Sequence, residues 1–182
     1  MAPSVSISIL IVALWVLYIL MHSTTMVIAA GSGAASNSSA LELEAKALLE
    51  SGWWADYSND TFLNHCKFDG IKCNAGGSVI EIDRVGTLYY RDAISKLPPS
   101  FGTLSKLSHL DLSRNSLTGK LPPSFGNLTR LVKFDISANS ITGSIPKELG
   151  NLTNLTHFSA QGNRLVGELP LSLANLTRLQ IE

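Results

Sequence analysis

From Leu97 onward the chain copies itself every 24 residues, and that period constrains the fold more than any other feature. The rows read LPPSFGTLSKLSHLDLSRNSLTGK, LPPSFGNLTRLVKFDISANSITGS and IPKELGNLTNLTHFSAQGNRLVGE, then LPLSLANLTRLQIE to Glu182. A unit this short cannot bury its own apolar residues. Neighbouring rows must stack and share one continuous core, which makes the fold a solenoid.

Each column has a physical reading. Leu107, Leu131, Leu155 and Leu179 are followed by Leu110, Phe134 and Phe158, then by Leu112, Ile136 and Ala160. These spacings predict a short strand with its apolar side chains pointing inward. The Asn115, Asn139 and Asn163 column places an amide in each turn, able to bond backbone groups of its own coil and the next. Leu117, Ile141 and Leu165 return inward, and Gly119, Gly143 and Gly167 mark bends without a Cβ. Pro98, Pro122, Pro146 and Pro170 hold an extended segment. Phe101, Phe125, Leu149 and Leu173, with Leu104, Leu128, Leu152 and Leu176, supply the convex return.

The pattern LxxLxxLxLSxNxLTGxLPxxxGNLT resembles the plant-type leucine-rich repeat of receptor-like kinases, receptor-like proteins and polygalacturonase-inhibiting proteins, and the resemblance covers most of the chain after residue 40. It implies an α/β repeat solenoid: a right-handed superhelix with short parallel strands on the concave face and a helical, disulfide-bonded N-terminal cap. The framework columns are shared by members that bind different partners, so they carry almost no information about a ligand.

The 182 residues hold 45% apolar and 15% charged side chains and sum to a formal charge of zero. That balance gives no electrostatic case for nucleic acid or an anionic membrane surface. Residues 1–41 contain no Asp, Glu, Lys or Arg, and Ile7 to Leu20 is an apolar run broken by Ser8. Small residues follow through Ala35, which fits a secretory signal peptide over about residues 1–30, cleaved between about residues 29 and 36. The alternative is an uncleaved anchor, since Ile7 to Ala30 could span a hydrocarbon core roughly 30 Å thick. His22, Ser23, Thr24 and Thr25 count against it.

Residues 31–38 read as a small-residue linker. Ser39-Ala40-Leu41-Glu42 reads as a capping box that opens a helix running through about Glu50, with Leu41, Ala45, Leu48 and Leu49 on one face and Gly52 at its C-cap. Trp53 and Trp54 follow, beside the open end of the stack. Cys66 and Cys73 are the two cysteines of the chain, and an oxidising compartment leaves them one pairing. Closing so short a loop contributes roughly 2–3 kcal/mol. A zinc or redox site needs more ligands or a tighter C-x-x-C spacing. EAKALLESGWW through HCKFDGIKC resembles the N-terminal cap of plant leucine-rich repeat proteins, with Phe68 where that family usually has Trp. The cap is expected over residues 39–78, an irregular first repeat over 79–96 with a four-residue surplus, and regular rows over 97–182, the last incomplete.

Function is expected on the concave face. The candidate ligand-binding residues are Ser108, His109, Asp111, Ser113 and Arg114 in the first row, with Val132 and Ala138 beside Lys133, Asp135 and Ser137 in the second. In the third they are His157, Ser159 and Gln161, flanked by Thr156 and Gly162. With strands about 4.8 Å apart, His109, Lys133 and His157 form one column and Asp111, Asp135 and Ser159 the next. The strip is either a ligand surface or a solvated face. Catalysis is not expected: an acid–base pair needs a cleft and a positioned nucleophile, and an open surface excludes little water. Lys133 between the two histidines disfavours a metal, and no cofactor is expected. Glycine-rich phosphate loops and kinase signatures are absent from the sequence.

N-glycosylation sequons stand at Asn37, Asn59, Asn127, Asn151, Asn154 and Asn175, three of them in one column. Asn151 and Asn154 are too close to be occupied together. Glu182 stands where the next inward apolar residue should come, and the sequence reads as a truncated receptor ectodomain. By resemblance, full-length relatives carry a membrane span and a cytoplasmic serine/threonine kinase. The expected role is an extracellular, non-catalytic recognition module that binds a protein or peptide ligand or another leucine-rich repeat receptor. Expected localisation is the secretory pathway and the cell surface, with membrane attachment through an uncleaved N-terminal segment or a missing C-terminal span. The alternatives are a secreted inhibitor of a cell-wall hydrolase and a gene fragment without a role.

Overall fold

The computed structural model describes residues 32–57, 62–88 and 96–180. The signal or anchor segment, the sequon at Asn59 and the apolar mismatch at Glu182 lie outside these, as does the side chain of Asn37. Among the described residues no helix is long and apolar enough to cross a membrane. The chain falls into two units, Met1–Ser39 and Ala40–Glu182, and the described part of the first is the opening of helix α1 (Ser32–Glu50).

That helix corrects the expected N-terminus. Residues 32–38 are helical rather than a linker, and Ser39 lies inside α1 instead of at its N-cap. No proline interrupts the stretch, and Ala34, Ala35 and Ala40 are strong helix formers, so the helix runs through the polar residues between them. Its other end is as expected: Gly52 takes φ +72° and its N–H donates to the Leu49 carbonyl at 3.0 Å.

The second unit opens with a lid. Ala45, Ala47 and Leu48 of α1 are buried, as are Trp53 and Trp54. Trp53 meets Phe101 of the first regular row edge-on at 5.1 Å, and Phe68 stacks between Trp54 (6.3 Å) and Tyr57 (4.7 Å). Two indoles laid over the first apolar layer do for the solenoid what a further coil would otherwise do. Arg84, in the irregular first repeat, lies over the Trp54 ring at 5.3 Å and is buried, so the first coil grips its lid there. Cys66 and Cys73 are joined.

Strand β1 (Ile71–Cys73) pairs antiparallel with β2 (Val79–Asp83), a pairing that the sequence pattern does not announce. From β2 onward the sheet is parallel: β3 (His109–Asp111), β4 (Lys133–Asp135) and β6 (His157–Ser159), in the order β1-β2-β3-β4-β6. Ile82, Leu110, Phe134 and Phe158 are partners in register, forming one interior file. Ile82 to Leu110 is 28 residues where later partners are 24 apart, which absorbs the four-residue surplus. A second, two-residue ladder joins β5 (Thr142–Gly143) to β7 (Arg164–Leu165).

The amides of the turns act as a ladder. Asn139 Oδ1 accepts from Leu117 N at 3.0 Å, while its Nδ2 lies within hydrogen-bond distance of the carbonyls of Leu112, Ile136 and Ser137. Asn115 bonds Leu88 N and the Arg84 carbonyl, and Asn163 bonds Ile141 N and the Ile136 carbonyl, in the same pattern. Each convex return is a 3₁₀ turn entered through an extended proline: Pro99–Thr103, Pro123–Asn127, Lys147–Asn151 and Leu171–Asn175. The Gly119 column has positive φ as expected. A different glycine sets how closely the coils approach: a Cβ on Gly126 would lie 2.4 Å from the Glu148 carbonyl oxygen of the next row.

Candidate functional site: the concave strip

The strands place the predicted columns in register. Glu81, His109, Lys133 and His157 are successive partners across β2, β3, β4 and β6, and Asp83, Asp111, Asp135 and Ser159 form the parallel file beside them. Glu81 and Asp83 extend both files by one coil beyond the predicted strip. The alternation in Val79–Asp83, shifted by the four-residue surplus, is the signal that could have found them.

The acidic file has structural work of its own. Asp83, Asp111 and Asp135 each accept a hydrogen bond from the backbone N–H two residues on, at Val85 (3.3 Å), Ser113 (3.1 Å) and Ser137 (2.8 Å). This is the local turn that an Asp offers at the end of a strand. Asp111 is committed on both oxygens, since Ser113 Oγ donates to Oδ1 at 2.7 Å and Lys133 Nζ to Oδ2 at 2.8 Å. Burial raises the cost of its charge, but these donors outweigh it and hold its carboxyl below the usual range. Lys133 is pushed up in turn, chiefly by its bond to Asp111. Ser113 is buried with its hydroxyl on Asp111, so this member of the predicted strip faces the turn and not solvent.

The histidines are oriented by hydroxyls of the same strands. Ser108 Oγ donates to the Ile80 carbonyl at 2.8 Å and lies 2.8 Å from His109 Nδ1. Thr156, Val132 and His157 repeat the arrangement, with Oγ1 at 3.1 Å from the Val132 carbonyl and 2.7 Å from Nδ1. Arg114 is exposed at φ +56°, and Ala138 and Gly162 below it share the left-handed conformation. Lys133, Asp135, His157, Ser159 and Gln161 line a concavity of about 530 Å³ at the β6 side of the strip.

Among the described residues one trio of metal-type ligands comes together, His65, Cys66 and Cys73. Its sulfurs are joined as a disulfide and His65 Nε2 lies 3.0 Å from the Gly77 carbonyl, so the trio offers no thiolate.

The family model described as "Leucine rich repeat" matches residues 92–141 and 105–165. Over these residues the fold is that of the leucine-rich repeat. Among the solved structures the chain is similar to PEPR1 in the PEPR1–AtPEP1 complex, at 29% identity and a TM-score of 0.64 over 75% of this chain and 20% of that one. It resembles the leucine-rich repeat ectodomain of the receptor kinase SOBIR1 from Arabidopsis thaliana, at 25% identity and a TM-score of 0.58 over 75% of this chain and 74% of that one. The plant peptide hormone receptor RGFR1 in complex with RGF2 matches at 32% identity and a TM-score of 0.53, over 63% of this chain and 21% of that one. The chain therefore spans about a fifth of the PEPR1 and RGFR1 chains. None of the curated proteins matches it.

Proposed function

We propose that this leucine-rich repeat protein is an extracellular recognition module that binds a protein or peptide at the concave strip, through Lys133, Asp135, His157, Ser159 and Gln161. The observation that carries the reading is the in-register pairing of Lys133 with His157 and Asp135 with Ser159 around one concavity. Side chains fixed on adjacent strands present a preorganised set of donors and acceptors, which lowers the ordering cost of binding. The likeness to a plant receptor kinase ectodomain supports a place at the cell surface. A peptide hormone receptor among the similar structures supports a peptide as one class of ligand.

Co-purification from plant membranes tests this. The wild-type chain should retain partners that Asp135→Ala combined with His157→Ala loses, while Asn127→Gln on the convex side retains them. Equal retention by the concave variant would discard the assignment.

A further inference from the structure

The rows carry a second periodic feature outside that strip. The residue just before the first inward leucine of each strand is Lys106, Arg130, Asn154 and Arg178, again 24 apart. In the structure these four line one groove of about 470 Å³ along the edge of the sheet. Its floor includes Ser108, Val132 and Thr156, half-buried residues of successive coils. The gap in the cationic series at Asn154 is used as a brace. Asn154 Nδ2 donates to the Thr129 carbonyl at 2.8 Å, and its Oδ1 accepts from Arg178 Nη1 at 2.8 Å, which leaves the rest of that guanidinium available.

The acids close by in the sheet are already engaged. Glu81 accepts from Lys72 at 2.7 Å and Asp111 from Lys133 at 2.8 Å. Among the described residues no ion pair within contact distance involves Lys106, Arg130 or Arg178, although the Lys106 charge is felt at Glu44. Three cations aligned on one groove are complementary to a polyanion.

We propose that this groove binds an acidic stretch of a peptide or protein ligand, a claim that rests on the reading of the chain as a protein-recognition module. The geometry suits an extended chain. Adjacent coils stand about 4.8 Å apart, and side chains on one face of an extended peptide recur roughly every 7 Å. Carboxylates at alternate positions therefore fall within reach of successive long basic arms, and each arginine can take one bidentately. Val132 in the floor gives the intervening apolar side chains a contact that a sugar polyanion would not use. Single exposed ion pairs contribute little, so the groove needs several carboxylates in series and its binding must weaken with salt.

The test uses the full chain and a fluorescein-labelled peptide of about eight residues with Glu at alternate positions, followed by fluorescence anisotropy. Arg130→Gln combined with Arg178→Gln changes two exposed side chains and should weaken binding about tenfold or more and flatten its salt dependence. The same peptide with Gln for Glu should not bind. Undiminished binding by the double variant, or equal binding of the Gln peptide, would overturn the proposal, as would a uronic acid oligomer of equal charge binding more tightly than the peptide. The concave variant Asp135→Ala with His157→Ala should leave probe binding in place. Should membrane partners ignore that variant while the probe still depends on Arg130 and Arg178, the concave assignment fails and the groove stands.

Discussion

Lys133 Nζ reaches back one coil to Asp111 Oδ2 at 2.8 Å, so two neighbouring rows are tied through side chains on the face where a ligand would sit. Lys133 is 45% exposed and Asp111 18%, which keeps the bond weak by the standard of ion pairs. A double-mutant cycle with Lys133→Met and Asp111→Asn should give a coupling of about 0.5–1 kcal/mol. The lowered carboxyl of Asp111 contributes stability that is present above the usual aspartate value and is lost as pH falls through its own. The raised Lys133 contributes below the usual lysine value and is lost as pH rises through its own. The melting temperature of the wild type should therefore keep its margin over the double variant between about pH 5 and 10 and lose it in stronger acid and stronger base.

Glu44 behaves in the opposite sense. It is buried in α1 and its Oε2 accepts from Val79 N at 2.8 Å, joining the lid to the first strand. Burial raises its pKa more than that bond and the nearby His65 lower it. A raised acid contributes fully below the usual glutamate value and loses that contribution as pH rises. Glu44→Gln retains an acceptor for Val79 and removes the buried charge. It should melt a few degrees above wild type at neutral pH, with the two curves converging in acid; thermal scans at pH 4 and pH 7 (about one usual glutamate value and well above it) decide the matter.

Asn139 is the middle rung of the amide ladder. Asn139→Ala strands Leu117 N and the carbonyls that its Nδ2 serves in a region closed to water. The cost should be about 2–4 kcal/mol in urea unfolding. A loss below that of an exposed substitution such as Thr142→Ala would show that water replaces the amide.

Gly126 tests how tightly the convex sides are stacked. With the Glu148 carbonyl oxygen at 2.4 Å from an added Cβ, Gly126→Ala must push two coils apart. It should cost about 1–3 kcal/mol, measured by chemical denaturation, although its φ is one that alanine could adopt.

The sequons of the third row differ in access. Asn151 is exposed, whereas Asn154 is half-buried with both ends of its amide bonded within the solenoid. When the chain is expressed through a secretory pathway, glycopeptide mapping should find a glycan on Asn151 and an unmodified Asn154; the reverse would mean that the groove at Lys106 and Arg130 is closed by sugar.

The interior was legible because it repeats. Leu110, Phe134 and Phe158 occupy one column of the text and one file of the core, and Asn139 bonds as its column predicts. Features that occur once were harder to read. β1 is three residues long and pairs across a turn, with no period to reveal it. The start of α1 was hidden because Ser32 to Ser39 has a linker's composition while nothing in it stops a helix. On the concave strip the columns were right, but the duties within them were not separable. Asp111 and Ser113 look like surface residues, yet the D-x-S spacing lets each satisfy the other at the strand end.

The joining of each coil to the one before and the one after has a mechanical consequence. With the lid's tryptophans clamped on Phe101 at one end, a pull on the far end should open the protein like a zip, tooth by tooth. Tension on this chain would be felt as a series of small yields instead of one rupture, and the tryptophan clasp would be the last to let go.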